Sequence, residues 1–397
     1  MDKLFIDVGS TYFKIYHQNR ASQYFRDFNK TIYSDLLDKA GSLIKNYSPK
    51  DIYICSSANG GLSTLIIALS NSFSLKYAVN IAFNSGINII DTLLVKDIDI
   101  APSPTDLIDV VIIAGAIDGV SGWGDERVFE YLKRCNYNNI VYVGSKDDRE
   151  LFKSKIKNLK ILDNIITKDL KIEEKALKEY LTNLYQADIV GKEDIKELYK
   201  ITQNPIYPTP YIVNQALPKI NKSFNVVDPF IVIDIGGATT DIHYSKDLIN
   251  HNLIVDGGYD RLVFKKLGVY KSRESLIFTA KNNEFVYELL NYLNVTENIF
   301  DEVSPKATKI LMQLAIFLVL YKVSNHHNEY VELKLDKLNS IIFTGGISKV
   351  LTNEDIEKIV SFFYKKLLNF STFPKVIIDK EYEIWTYAMT KDFDDNK

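Results

Sequence analysis

The chain has 397 residues, 46% of them apolar and 25% charged, with a formal net charge of −3. That length fits two domains or one large bilobal unit with a sizeable core, and the slight negative charge excludes a general attraction to nucleic acid. Only two cysteines occur, Cys55 and Cys135, which excludes a disulfide framework and suits a reducing cytoplasm.

In chain order, "KLFIDVGSTYFKIYHQ" (3–18) reads as strand, tight turn, strand: Leu4 to Ile6 lead into Asp7 and Gly9, and pairing resumes at Phe13 to Tyr16. No basic and apolar leader precedes this strand, so no signal peptide is expected. Residues 32–47 have helical spacing, 51–57 a short buried strand, and 59–73 a glycine turn entering a helix. Residues 110–119 and 139–145 are continuous apolar strands, which indicates a mostly parallel sheet covered on both faces. Residues 151–200, rich in Lys, Glu and Leu, read as helical, and three prolines in "NPIYPTPY" (204–211) then break the chain. A second cycle follows. "FIVIDIGGATTDIHYS" (230–245) repeats the strand–turn–strand plan. "ILMQLAIFLVLY" (310–321) is a core helix about half as long as a bilayer span, so no membrane is expected as a partner. "SIIFTGGISKVL" (340–351) is a strand entering a glycine turn, and 375–380 a last strand before a terminal helix around 382–389.

The expected fold class is therefore α/β, a duplicated domain with lobes 1–210 and 211–397 and a ligand cleft between them. Asp7-Val8-Gly9 and Asp234-Ile235-Gly236 are both strand-end Asp-x-Gly turns, 234 − 7 = 227 residues apart. Glycine lets backbone N–H groups approach phosphate closely, and a carboxylate at the strand end can handle the accompanying cation. On this chemistry Gly9, Ser10, Thr11, Gly236, Gly237, Ala238, Thr239 and Thr240 are candidate phosphate binders. Asp7 and Asp234 are candidates to hold Mg²⁺ directly or through water. Lys14, on the return strand, can reach β/γ phosphates as a point charge. Gly345 and Gly346 would let the backbone pass beside adenine or ribose. The expected ligands are ATP and Mg²⁺. The competing phosphate sites lack their signatures, since neither G-x-G-x-x-G after a strand nor a Walker A pattern occurs.

"DVGSTYFK", "DIGGATTD" and "FTGGISKV", in this order, resemble the two phosphate motifs and the adenosine motif of the actin, sugar kinase and heat-shock chaperone ATPase superfamily. The resemblance implies duplicated actin-like (ribonuclease H-like) lobes with mixed sheets flanked by helices. "CSSANGGL" (55–62), "AFNSGINIIDT" (82–92) and "VVIIAGAIDG" (110–119) are more narrowly similar to the MutL-type protein of glutamate mutase systems. That family implies a slow, ATP-dependent chaperone that reactivates an adenosylcobalamin-dependent mutase. Superfamily members orient the attacking water with a polar residue, which makes Asp118 and Asp241 candidates for that role. A small-molecule kinase and an actin-like filament or scaffold ATPase are the alternatives. They are separated by a substrate pocket and by sedimentation with nucleotide, respectively.

The remaining residues have plainer readings. Cys55 and Cys135 fit buried structural thiols better than the cluster ligands of 2-hydroxyacyl-CoA dehydratase activators. His326 and His327, adjacent in sequence, do not suit zinc. His243 shares a strand face with Asp241 and fits a core or supporting role. "DGGYDR" (256–261) reads equally as a hinge, a nucleotide-proximal turn or a hairpin loop.

Overall fold

The computed structural model describes residues 3–57, 62–85, 87–102, 104–191, 193–220, 224–250, 254–255, 258–324 and 332–389. By internal contacts the chain forms two discontinuous units. The first takes Met1–Ala58, Glu197–His251 and Gly258–Lys397, and the second Asn59–Lys196 and Asn252–Gly257. The expected boundary at residue 210 thus falls inside the first unit.

The strands, in chain order, begin with β1 (Leu4–Val8), β2 (Tyr12–His17), β3 (Arg20–Phe25) and β4 (Ile52–Ser56). The second unit then contributes β5 (Ser63–Ala68), β6 (Asn88–Leu94), β7 (Ile108–Ala114), β8 (Tyr137–Tyr142), β9 (Lys160–Ile161) and β10 (Lys171–Ile172). After it come β11 (Tyr207–Pro208), β12 (Phe230–Ile235), β13 (Thr240–Ser245), β14 (Ile254–Val255), β15 (Tyr259–Phe264), β16 (Ser340–Gly345) and β17 (Lys375–Ile378).

The first unit holds two five-stranded mixed sheets, ordered β3-β2-β1-β4-β11 and β15-β13-β12-β16-β17. Each has an antiparallel meander of three strands joined to two parallel ones, paired in the same sense at every step. One sheet draws its strands from before residue 210 and the other from after it. This is the duplicated actin-like α/β fold. The central strands are buried on both faces because their runs are continuously apolar: "LFIDV" is buried throughout and "FIVIDI" at all but Asp234. Behind the second sheet lies the helix Pro305–Lys322, buried from Ile310 to Leu320. A helix apolar on all sides belongs inside a core, and it packs in the cluster with Ile231, Ile233 and Phe343. Among the described residues, no helix is long and apolar enough to cross a membrane.

The second unit is built on an all-parallel sheet, ordered β6-β5-β7-β8-β9, a doubly wound arrangement with its own core around Ile113, Tyr142 and Phe152. Here the structure corrects the sequence reading of 59–73. Ser63–Ala68 is a strand, paired on both sides by β6 and β7, and helix begins only at Asn71. A short apolar run such as "LIIA" (65–68) has no period to separate strand from buried helix. The stretch 151–200 is likewise divided: α-helix covers Arg149–Lys155 and Lys175–Gly191, with β9 and β10 between them. The part of "DGGYDR" from Tyr259 onward begins β15. Asp256 and Gly257, like Asn59, Gly60, Gly61, His326 and His327, lie outside the described residues.

Candidate functional site

Two hairpins of one design frame the site. In the first, Asp7 of β1 stands opposite Lys14 of β2. In the second, Asp234 of β12 stands opposite Asp241 of β13. Their turns close in the same way, Gly9 N–H donating to Tyr12 O at 2.9 Å and Gly236 N–H to Thr239 O at 2.8 Å. The tips meet: a Cβ built on Gly237 would lie 2.8 Å from Thr11 Oγ1 and 3.3 Å from Tyr270 Cβ. Only glycine allows that approach. Phe25, at the end of β3, adds an edge contact to Tyr270, with ring centroids 5.8 Å apart.

The amides of Val269, Tyr270 and Lys271 donate to the carbonyls of Gly236 and Gly237, which pins the second tip. Among the described residues, the amides of Ser10, Thr11, Gly237 and Ala238 donate to no protein acceptor. Thr11 Oγ1 is buried with no partner among the described residues. Buried polar groups are normally satisfied, so the meeting of the tips gathers donors suited to an anion.

Asp7 is 1% exposed and well supplied. Its Oδ1 accepts from Thr209 Oγ1 at 2.6 Å, and its Oδ2 from the Tyr382 hydroxyl at 3.2 Å. Lys14 Nζ lies 3.6 Å from the same Oδ2. Asp234 differs. It keeps some surface open and accepts no hydrogen bond among the described residues. Burial pushes its carboxyl up to about 6. The nearby Lys14 charge opposes that shift, while Asp241, Asp7 and Asp379 add to it. Gly345, with φ +82°, brings β16 so close that a Cβ there would meet Asp234 Oδ1 at 2.1 Å. All three sequence motifs therefore converge on one place, though the close approach at Gly345 is to the carboxylate. Gly346 follows in the same turn.

Other candidates are committed to the fold. The Thr240 hydroxyl is buried and donates to Leu267 O at 2.8 Å, because strand alternation turns it away from Asp241's face. Asp241 pairs with Arg261 Nε at 2.8 Å and accepts from Thr239 Oγ1 at 3.1 Å. His243 is buried with its Nδ1 3.4 Å from Asn214 Oδ1, and burial together with the Arg261 charge drives its pKa well below the usual histidine value. Asp118 belongs to the second unit, where it ties the loop after β7 to that after β8. Its Oδ1 accepts from Lys146 N–H at 3.0 Å and Asn164 Nδ2 at 3.1 Å. The Cys55 thiol is fully buried beside Asp7 and Thr209, with burial raising its pKa well above normal. Cys135 sits against the second unit's core.

Three further residues stand at the site beyond those the motifs mark. Thr209 lies within the proline break, between Pro208 and Pro210, and Tyr382 lies in the C-terminal segment. Asp379 directly follows β17, and its carboxyl is also raised to about 6 by burial. It accepts from Thr344 Oγ1 at 2.8 Å and Glu383 N–H at 2.9 Å. The signal for Asp379 was available, since "VIID" is a third apolar run tipped by aspartate.

A duplicated actin-like fold whose twin hairpins present amides, hydroxyls and acids to one point defines the class of protein. The family model described as "MutL protein" matches residues 3–384, and the chain belongs to that family. It is 24% identical over 271 residues to Protein MutL of Clostridium tetanomorphum, an alignment covering 62% of this chain. The chain spans 58% of the length of that curated relative. Among solved structures, it is similar to component A of (R)-2-hydroxyglutaryl-CoA dehydratase from Acidaminococcus fermentans, at 8% identity and TM-score 0.33, covering 98% of this chain and 96% of that one. It is also similar to a glycerol dehydratase reactivase, at 11% identity and TM-score 0.30, covering 91% and 95%. A non-polymerisable pCBH ParM mutant is similar at 12% identity and TM-score 0.34, covering 98% of each chain.

Proposed function

We propose that this protein binds ATP with Mg²⁺ between its twin hairpins, hydrolyses it slowly, and uses the change to reactivate an adenosylcobalamin-dependent mutase. The observation that carries the reading is the contact of Gly237 with Thr11, which gathers the uncommitted amides of both tips around one buried, unpartnered hydroxyl.

The residues present suit the group. The amides of Ser10, Thr11, Gly237 and Ala238 offer N–H donors to phosphate oxygens, and Lys14 adds a cation. Among the described residues no cluster of three or more His, Cys, Asp or Glu could hold a metal alone. Mg²⁺ commonly takes one or two carboxylates and completes its shell with phosphate and water. When bound, it would neutralise charge on the phosphate oxygens. Asp234, with no donor on its oxygens among the described residues, is the residue to hold it; Asp7, whose oxygens are already engaged, positions Lys14. A phosphate touching both tips would hold the hairpins together, and its loss would release them. That coupling is the motion a client enzyme would feel. The mutase client is supported by the family, and the cytoplasm is its expected setting.

Calorimetry on the purified chain tests the binding step. Mg·ATP should bind the wild type and bind Asp234→Ala at least about tenfold more weakly, the loss expected for a charged partner. Equal binding by both would sink the metal assignment. For the client, ATP and this protein together should restore activity to inactivated glutamate mutase, and neither alone should.

A further inference from the structure

Resting on that reading, we propose that Tyr382 is a positioning residue for the nucleotide, seating the Lys14 ammonium so that its charge stays available to phosphate. The C-terminal segment after β17 is then part of the phosphate site.

The Lys14 Nζ lies 3.5 Å from the centroid of the Tyr382 ring. The Tyr382 hydroxyl donates to Asp7 Oδ2 at 3.2 Å, and Nζ is 3.6 Å from that same oxygen. Asp7 therefore does not close a short ion pair with the lysine, because the tyrosine hydroxyl shares its oxygen. The ring face attracts the cation without carrying a formal charge. A lysine tightly paired to a carboxylate would have its charge cancelled. A lysine held by a π face and a shared oxygen keeps it, with a third N–H open to another acceptor.

Tyr382 is itself held firmly. It is 2% exposed, and its carbonyl accepts from Trp385 Nε1 at 2.8 Å. Its amide donates to Asp379 O at 3.2 Å. Asp379 in turn accepts from the amides of Glu383 and Ile384. The backbone of Tyr382 is left-handed, φ +49°, a conformation rare for a bulky side chain and kept only where its surroundings dictate it. The segment's bonds supply that constraint.

The test is calorimetry of Mg·ATP on the full chain, comparing wild type, Tyr382→Phe, Tyr382→Leu, Lys14→Met and the Lys14→Met/Tyr382→Leu double variant. Tyr382→Phe keeps the ring and should lose no more than about threefold. Tyr382→Leu should lose about tenfold, in line with a desolvated cation–π contact. The double variant should bind no worse than Lys14→Met, because the ring acts only through the lysine. Tyr382→Met, of similar volume without a π face, replaces the leucine variant if that one fails to fold. Additive losses, or wild-type affinity in the leucine or methionine variant, overturn the seat while leaving nucleotide binding intact. A wild type that binds no Mg·ATP overturns both.

Discussion

Lys14 and Asp241 occupy the same position in two copies of one hairpin. Each faces the strand-end aspartate across its strand pair, Lys14 opposite Asp7 and Asp241 opposite Asp234. The spacing is identical, since 241 − 14 and 234 − 7 both equal 227. The two hairpins share one scaffold, and the residue that faces the strand-end acid makes them electrostatically unequal. The first hairpin carries its own cation. The second sets two acids side by side, and among the described residues it answers only Asp241, with Arg261. Among the described residues, Asp234 is the acid without a protein donor.

That asymmetry separates the two aspartates by experiment. Asp7→Asn disturbs the contacts from Thr209, Tyr382 and Lys14. Breaking a buried charged network is expected to destabilise the fold by about 2–4 kcal/mol. Asp234→Asn should do the reverse in the nucleotide-free protein, raising stability at neutral pH while abolishing the gain in ATP affinity that Mg²⁺ gives. Thermal melts and calorimetry on the same two variants decide it, and a destabilised Asp234→Asn would contradict the assignment.

The same acid fixes a pH dependence. Burial raises Asp234 from the ordinary 3.8 to about 6, so the fold favours its protonated form. A group whose pKa is raised on folding contributes stability that is complete below the unfolded value and disappears as pH rises through the folded one. Below about pH 4, wild type and Asp234→Asn should melt alike. The gap should open between pH 4 and 6 and level off above 6 at about 1–2 kcal/mol, allowing for solvent at its open edge. A gap independent of pH would show that charge is not its source.

The strand-end acids and glycine turns were legible because they interrupt apolar runs, and they located both sheets' first hairpins. β3 and β15 were not. "RASQYF" is half-buried and weakly apolar, and neither strand ends at a turn with chemistry of its own. The separate parallel sheet carries no sequence signal that sets it apart, because a continuous apolar strand looks the same in any parallel sheet. Tyr382 and Thr209 reach Asp7 from 375 and 202 residues away in sequence. A contact at that separation has no period or motif, so nothing local announces it. Lys14 could be named from its spacing to Asp7; the ring under it could not.

Thr11 gives a test in which stability and binding move in opposite directions. Its hydroxyl is buried with no partner among the described residues. Replacing it by valine removes a desolvated polar atom, which should stabilise the nucleotide-free chain by about 1 kcal/mol. If that hydroxyl serves phosphate, the same change should weaken ATP binding about tenfold through the lost hydrogen bond to a charged group. A variant that is stabler and binds ATP as well as wild type would remove Thr11 from the site.

The contact between the tips can be broken and repaired. In Gly237→Ala the new methyl would stand 2.8 Å from Thr11 Oγ1, closer than such atoms approach, and 3.3 Å from Tyr270 Cβ. The hairpins must then separate, and amides that converge on one anion are drawn apart. ATP affinity should fall by about tenfold or more, as sub-ångström displacement of aligned donors costs charged hydrogen bonds. The clash is with the hydroxyl end of Thr11, so Thr11→Ala in the same chain should let the tips close again. The double variant should recover affinity relative to Gly237→Ala, even though Thr11→Ala alone weakens binding. That reversal of sign between two contacting residues is the signature of coupled sites. A double variant weaker than both singles would mean that the two tips do not share a ligand.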